Sequence, residues 1–187
     1  FLKAGGAAEA AGVKVVLVLA NFDDAPGGSL ATVMTSPSRR ATLVSELVAL
    51  LAADSYSHGV SLDLEFSWGA AVRDGITAFT HELRAGLDTL GPGYELSIYT
   101  NAIHSASQWN FDAVGGITPA IDHMLYSMYD WASGNTAHAI SDFDNCLGAS
   151  RMHAYLNAGL PPEKLVPVVS AYSRRSVSYT HLRAHET

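Results

Sequence analysis

The sequence predicts an α/β fold, specifically part of a (β/α)8 TIM barrel that is incomplete at both ends. Five short apolar runs alternate with helical patterns along the chain, which is typical of strands and crossover helices around a parallel sheet. Polar residues follow the ends of these runs, where barrels carry their functional groups. The first run is followed by NFDD, whereas a doubly wound nucleotide-binding sheet more often has a glycine-rich turn there. These observations favour the barrel.

The predicted elements follow from apolar periodicity and from capping residues. The clearest helical pattern begins at Ser36 and Pro37, an N-cap and a first-turn proline, and continues to Leu51. A second helix is predicted from Ile76 to about Leu90, before the GPG turn, and a third from Met152 to Ala158. The predicted strands are Lys14–Ala20, Gly59–Glu65, Tyr94–Thr100, Ile121–Tyr129 and Leu165–Ala171.

Composition and charge indicate one globular domain and exclude several classes of partner. The 187 residues are 48% hydrophobic, which is enough for one sizeable core. The formal net charge is −7 and no run of Lys or Arg occurs, so neither nucleic acid nor an anionic membrane surface is expected to bind. The longest apolar run, residues 13–20, is too short to cross a bilayer. Cys146 is the only cysteine, so no intrachain disulfide can form. The protein is expected to be a monomer.

The sequence is expected to comprise one partial domain followed by a short C-terminal tail. Residues 1–175 are predicted to form the partial barrel domain. The chain begins at Phe1 rather than Met, which suggests missing upstream sequence. The last segment, SVSYTHLRAHET (residues 176–187), has no periodicity and resembles the translation of a sequencing-library adapter. We expect this segment to be a non-native tail, with a polar natural terminus as the alternative.

One predicted strand carries two carboxylates within an otherwise apolar run, HGVSLDLEFSW. Because side chains alternate along a strand, Asp63 and Glu65 share the face that points into the barrel, while Val60, Leu62 and Leu64 face the covering helices. Neighbouring carboxylates in a partly desolvated site separate their pKa values, so one can stay protonated near neutral pH. Cleavage of a glycosidic bond needs such an acid and a group that stabilises positive charge. The alternative is a pair of strand-end carboxylates that are solvated or bound to arginine.

Three segments resemble motifs of glycoside hydrolase family 18, the chitinase-like hydrolases. HGVSLDLE is similar to the family's strand motif DGxDxDxE at Gly59, Asp63 and Glu65. SMYD is similar to its MxYD motif at Tyr129 and Asp130. GLPPEKLVPVVSAY resembles the segment leading into the family's seventh strand. The order and spacing agree over most of residues 13–172, and VLANFDD together with HGVSLDLEF resembles the spore-germination, cell-wall-associated branch.

The resemblance implies hydrolysis of β-linked glycans that contain N-acetylglucosamine, of chitin or peptidoglycan type, by a retaining mechanism assisted by the substrate. Glu65 would protonate the glycosidic oxygen, and the acetamido oxygen of the substrate would attack the anomeric carbon. Asp63 would orient the acetamide and stabilise the cationic oxazolinium, Tyr129 would hold its oxygen, and Asp130 would contact the same sugar. The resemblance implies no protein nucleophile, no cofactor and no metal, and an extracellular or cell-envelope location.

Further substrate-binding candidates lie near the predicted strand ends. Flat aromatic side chains there can stack on sugar rings, and small polar side chains can bond to hydroxyls. The set comprises Asn21, Ser61, Asn101, Trp68, Trp131 and Tyr172. For Tyr99, core packing is the preferred interpretation.

Two residues depart from the strand motif. His58 stands where the family has its first Asp, and Ser61 where it usually has the middle Asp. We expect His58 to be an interior histidine bonded to the backbone. The hydroxyl of Ser61 can replace the missing carboxylate as a hydrogen-bond partner of Asp63.

Two other functions remain open from the sequence. One is a glycan-binding chitinase-like protein that has lost catalysis, although retention of Glu65 argues against it. The other is a metal-dependent barrel hydrolase with His58, Asp63 and Glu65 as ligands.

Overall fold

The computed structural model describes residues 2–21, 29–54, 56–65, 68–101, 105–129 and 151–169. Within these ranges helices and strands alternate. The helices are α1 (Leu2–Ala10), α2 (Ser29–Met34), α3 (Pro37–Ala53), α4 (Ala70–Asp88) and α5 (Arg151–Asn157). The strands are β1 (Val15–Ala20), β2 (Ser57–Asp63), β3 (Glu95–Asn101), β4 (His123–Ser127) and β5 (Leu165–Val168). Two short 3₁₀ helices cover Ala106–Gln108 and Pro162–Lys164.

The five strands form one parallel sheet in the order β1-β2-β3-β4-β5. Each strand pairs with its neighbours in the chain, so every crossover advances the sheet in the same direction. A doubly wound sheet contains a point at which the strand order reverses, and the described part of this sheet contains none. A (β/α)8 barrel is built by such one-way steps. The topology therefore excludes the doubly wound alternative.

The two faces of the sheet differ in composition: one is apolar, and the other mixes polar and aliphatic side chains. The apolar face is fully buried beneath the helices, and its residues include Val60, Leu62, Leu96, Ile98, Met124 and Tyr126. On the opposite face the strand register brings small and polar side chains into rows: Ser61 beside Ser97, and Asp63 beside Tyr99. The predicted alternation along β2 is confirmed, because Val60, Leu62 and Leu64 are all buried. This second face, which carries Asp63 and Tyr99, is the inner face of the partial barrel.

Gly59 permits the close pairing of β2 with β3. A Cβ atom at this position would overlap the backbone carbonyl of Glu95 on the neighbouring strand, and the φ angle of Gly59 is +158°. Only glycine accepts both conditions without strain. The glycine therefore fixes the approach of the two strands whose far ends carry Asp63 and Tyr99.

The outer helices α2, α3 and α4 are tied together by one arginine and one glycine. Arg40, which is buried, binds the Glu82 carboxylate at 2.9–3.2 Å and donates to the carbonyl of Met34 at 2.7 Å. Gly75 lets α4 approach α2, because a Cβ there would overlap the same carbonyl group. These contacts join the three helices into one layer behind the sheet. None of the described helices is long and apolar enough to cross a membrane.

The predicted elements are present, with shifted ends. Helix α3 starts at Pro37 after Ser36, as predicted, but α4 begins earlier than Ile76, and the helices α1 and α2 were not predicted. Strand β2 ends at Asp63 rather than Glu65. The chain therefore leaves the sheet just before Glu65. The position of Glu65 depends on contacts other than the hydrogen bonds between the strands. The segment 176–187 lies outside the described residues.

Candidate active site

The expected catalytic residues lie at the carboxyl ends of β2 and β4. Asp63 is the last residue of β2 and Glu65 follows two residues later. Tyr129 follows the end of β4, whose last residue is Ser127. On the strand between them, Tyr99 is the register partner of Asp63. The carboxyl ends of parallel strands meet at one edge of the sheet, so these side chains share the mouth of its inner face.

Asp63 is a half-buried carboxylate with one unpartnered oxygen. Its Oδ1 is buried and has no hydrogen-bond partner among the described residues. Burial, together with the negative charge of Glu65, raises the pKa of Asp63 from its ordinary 3.8 to about 6. The influence of Glu65 means that the two carboxylates are near one another. Oδ1 is thus a buried acceptor that no described group satisfies.

Tyr99 and Tyr129 are joined through their hydroxyl groups. Tyr99 is half-buried, and this burial raises the pKa of its hydroxyl above the usual value, with a smaller contribution from the charge of Asp63. The core packing expected for Tyr99 is therefore wrong: its hydroxyl lies in the site and fixes that of Tyr129.

Asn21 is bound to the backbone of Glu65 through both ends of its amide. Its Oδ1 accepts from the Glu65 N–H at 2.7 Å, and its Nδ2 donates to the Glu65 carbonyl at 3.2 Å. Asn21 is the first residue after β1 and was expected to contact substrate. The structure shows its amide engaged with the main chain that carries the second carboxylate.

Ser61 lies one layer below Asp63 on the inner face and is buried. Its hydroxyl does not supply the partner that Oδ1 of Asp63 lacks. The hydrogen bond considered from the sequence is therefore not made to this oxygen.

His58 is the second residue of β2 and sits at the opposite end of that strand from Asp63. Five residues of extended chain separate them by about 16 Å, far beyond the span of a shared metal ion. Within the described ranges, no group of three or more His, Cys, Asp or Glu side chains could hold a metal. The ligand set His58, Asp63 and Glu65 is therefore wrong. The expected backbone bond of His58 is not made through Nδ1, which is buried without a partner in the described structure.

Trp68 is anchored against the segment that follows β3. Its indole N–H donates to the carbonyl of Gln108 at 3.0 Å, and its ring meets that of Trp109 edge to face at a centroid distance of 5.3 Å. Trp109, which the sequence did not place, is buried. Trp68 is partly buried and packs against the core.

The remaining candidates are less fully described. Asn101 is the last residue of β3 and pairs in register with Ser127. Asp130, Trp131 and Tyr172 lie outside the described residues.

The family model for glycosyl hydrolases family 18 matches residues 4–181, nearly the whole chain. The chain belongs to this family. No curated protein sequence matches the chain.

Three solved structures illustrate the similarity of fold. The first is described as a sporulation-specific glycosylase, YdhD, from Bacillus subtilis, with 22% identity over 89% of this chain and 55% of that chain and a TM-score of 0.67. A mutant of the class V chitinase from Nicotiana tobaccum in complex with NAG4 has 19% identity, coverage of 83% and 47%, and a TM-score of 0.68. The Cycas revoluta chitinase in complex with (GlcNAc)3 has 22% identity, coverage of 83% and 48%, and a TM-score of 0.64.

These likenesses confirm the α/β fold as part of a TIM barrel. The family 18 chain spans about half the length of the solved structures that it matches. At these identities the structures show the fold alone.

Two contributions to the mouth were missed from the sequence. Tyr99 could have been found, because it stands at the end of β3 with the same inward parity as Asp63 on β2. The contact of Asn21 with the Glu65 backbone could not, since hydrogen bonds to a main chain 44 residues away leave no local sequence signal.

Proposed function

We propose that this family 18 chain carries the catalytic half of a glycosidase that hydrolyses β-linked glycans containing N-acetylglucosamine. The observation that carries the proposal is the grouping of Asp63, Glu65, Tyr99 and Tyr129 at the carboxyl edge of the inner face. Family membership supports the reaction class. The complexes of two structural neighbours with NAG4 and (GlcNAc)3 support this sugar as the substrate unit.

The unpartnered oxygen of Asp63 supports recognition of an acetamide. A buried acceptor without a partner is costly, and an N–H from a ligand removes that cost. Bound in this way, the acetamide N–H favours the ionised form of Asp63. An anion beside the acetamide then stabilises the positive charge that develops as the acetamido oxygen attacks the anomeric carbon.

The raised pKa of Asp63 supports a supply of protons beside Glu65, the proposed general acid. Below a pH of about 6 Asp63 holds a proton in the free protein. When the acetamide binds Asp63, ionisation of Asp63 becomes favourable and the proton is available to Glu65. Glu65 then gives it to the glycosidic oxygen, and the substrate's own acetamide serves as the nucleophile, so that configuration is retained.

The tyrosine pair supports a fixed donor for the acetamido oxygen. Tyr99 binds the hydroxyl of Tyr129, which restricts its rotation. A donor that is already oriented stabilises the transition state without paying for reorientation. Tyr129 therefore holds the acetamido oxygen in line for attack, with Tyr99 as its support.

Glu65→Gln tests the proposal. With a hexamer of N-acetylglucosamine and with peptidoglycan as substrates, turnover should fall at least about 100-fold while binding of the hexamer persists, since the amide cannot donate the required proton. Glu46→Gln, an exposed position on α3, is the matched control and should retain full turnover. The first product should have the β configuration by NMR, and a deacetylated oligomer should not be cleaved.

The same experiment distinguishes the proposed glycosidase from a non-catalytic glycan-binding protein. That alternative predicts binding of the hexamer by the parent chain without any turnover, and equal binding by the Gln variant. Turnover of the deacetylated oligomer, or unchanged turnover by Glu65→Gln, would contradict the substrate-assisted mechanism.

A further inference from the structure

Asn21 continues the pairing of β1 with β2 beyond the point where the backbone ladder ends. The last register pair of the two strands is Ala20 with Asp63. One residue further along β1, the Asn21 side chain takes over: its Oδ1 accepts the Glu65 N–H at 2.7 Å and its Nδ2 donates to the Glu65 carbonyl at 3.2 Å. The amide group thus occupies the place of a peptide unit of the neighbouring strand.

Only a primary amide can satisfy both polar groups of the Glu65 residue in this way. An aspartate would accept the N–H but place a negative oxygen against the Glu65 carbonyl, and an aliphatic residue would bind neither group. Glu65 lies beyond the end of β2. Among the described residues, the Asn21 amide and the burial of Leu64 are what hold this part of the chain against the sheet.

We propose that Asn21 is a positioning residue that fixes the backbone of Glu65 and thereby aims its carboxylate at the mouth beside Asp63. This inference rests on the proposed function, in which Glu65 delivers the proton. It assigns Asn21 a role different from the sugar contact expected from the sequence, because both ends of its amide are already engaged. Asn21 acts through Glu65 and does not itself touch the reacting atoms.

A displaced acid lowers the rate more than it lowers binding. Proton transfer depends on the carboxyl group lying within hydrogen-bond reach of the glycosidic oxygen, and misplacement by about 1 Å can cost roughly 100-fold in rate. The sugar is held mainly by other groups. Loss of the Asn21 amide should therefore lower kcat about 10- to 100-fold and change KM less than about threefold.

Two substitutions separate positioning from general stability. Asn21→Ala removes both hydrogen bonds. Asn21→Asp is nearly isosteric and keeps the acceptor for the Glu65 N–H, so it remains informative where the Ala variant does not fold. It also adds a negative charge close to the carboxylate pair, which should make the pair hold its proton to higher pH.

Asp54→Ala is the matched control, since Asp54 performs a similar structural task at the other end of the same strand. Its carboxylate accepts from the Tyr56 N–H at 3.0 Å and from the Ser57 hydroxyl at 2.5 Å. This variant also loses two hydrogen bonds of β2. It should leave the Glu65 backbone, kcat and the pH profile as they are in the parent chain.

The test combines amide hydrogen exchange of Glu65, followed by NMR, with kinetics on the N-acetylglucosamine hexamer. We expect exchange at Glu65 to accelerate at least tenfold in Asn21→Ala but not in Asp54→Ala. We also expect the fall in kcat given above, and an upward shift of the descending pH limb in Asn21→Asp. Glu65 exchange or kcat in Asn21→Ala equal to that of the Asp54 control would overturn the inference. A parent chain without turnover would instead refute the proposed function, and the exchange measurement would still decide whether Asn21 fixes Glu65.

Discussion

Replacing Asp63 with Asn should stabilise the protein at neutral pH, although Asp63 belongs to the proposed catalytic pair. Burial and the charge of Glu65 raise the pKa of Asp63 to about 6 in the folded state, against an ordinary value of 3.8 in an unfolded chain. The ionised form is therefore less favourable in the folded protein than in the unfolded one. The cost is of the kind that active sites carry for function.

The sign and the pH range follow from proton binding. Between pH 3.8 and about 6 the folded state binds more protons at Asp63 than the unfolded state does, so the free energy of unfolding falls as pH rises. Above pH 6 the loss is complete. A pKa difference of this size corresponds to about 3 kcal/mol, and partial exposure to solvent reduces the expected effect to about 1–2 kcal/mol. Asparagine does not titrate and does not incur this cost.

The free energy of unfolding can be measured by urea denaturation, followed by circular dichroism, at several pH values. The series should run from about pH 3.5 to about pH 8 in roughly even steps, to cover the pKa of Asp63 in the unfolded and in the folded state. Asp63→Asn should match the parent chain at the lowest pH and exceed it by about 1–2 kcal/mol at pH 7. Asp112→Asn is a control of opposite sign, because backbone N–H groups of Val114 and Gly115 bind the Asp112 carboxylate and lower its pKa. A difference between Asp63→Asn and the parent that does not vary with pH would refute the reasoning.

Three further outcomes are expected. The value of kcat/KM for the N-acetylglucosamine hexamer should fall about tenfold per pH unit above pH 6, because Asp63 loses its proton there. A value of kcat/KM that does not change between about pH 6 and about pH 8 would contradict this. Gly59→Ala should lower the free energy of unfolding, measured by urea denaturation, by about 3 kcal/mol or more, because its Cβ would overlap the neighbouring strand. Gly69 has open space around it, so Gly69→Ala should lower the same free energy by less than about 1 kcal/mol. Arg40→Ala should cost about 1–3 kcal/mol through loss of its partly buried ion pair with Glu82. Replacing Arg73, whose ion pair is exposed, with Ala should cost less than about 0.5 kcal/mol. Equal losses in the two arginine variants would contradict the structural assignment.

Much of the fold could be predicted because its signals are local. The alternation of Val60, Leu62 and Leu64 with polar residues gave the two faces of β2, and Pro37 marked the start of α3. Helices α1 and α2 were missed because α1 is rich in Ala and Gly without an apolar stripe and α2 has only 6 residues. A short helix of this kind is stabilised by packing more than by its own sequence.

The candidate site was predicted only in part, because its composition depends on contacts between strands. Residue parity on one strand identified Asp63 and Glu65 as neighbours on the inner face. The placement of Tyr99 beside Asp63 depends on the register between β2 and β3, and the engagement of Asn21 depends on where the ladder between β1 and β2 ends. Neither the register between two strands nor the length over which they pair can be read from the sequence of one strand alone.

By itself, the sequence determined the class of fold, the apolar and polar faces of β2 and the carboxylate doublet, since these follow from side-chain periodicity and residue type. Only the tertiary structure decided the order of the strands and the hydroxyl contact between Tyr99 and Tyr129. The tertiary structure also gave Asp63 its raised pKa. Burial and electrostatic coupling arise from atoms that folding brings together from distant parts of the chain, so they exist only once the sheet has formed.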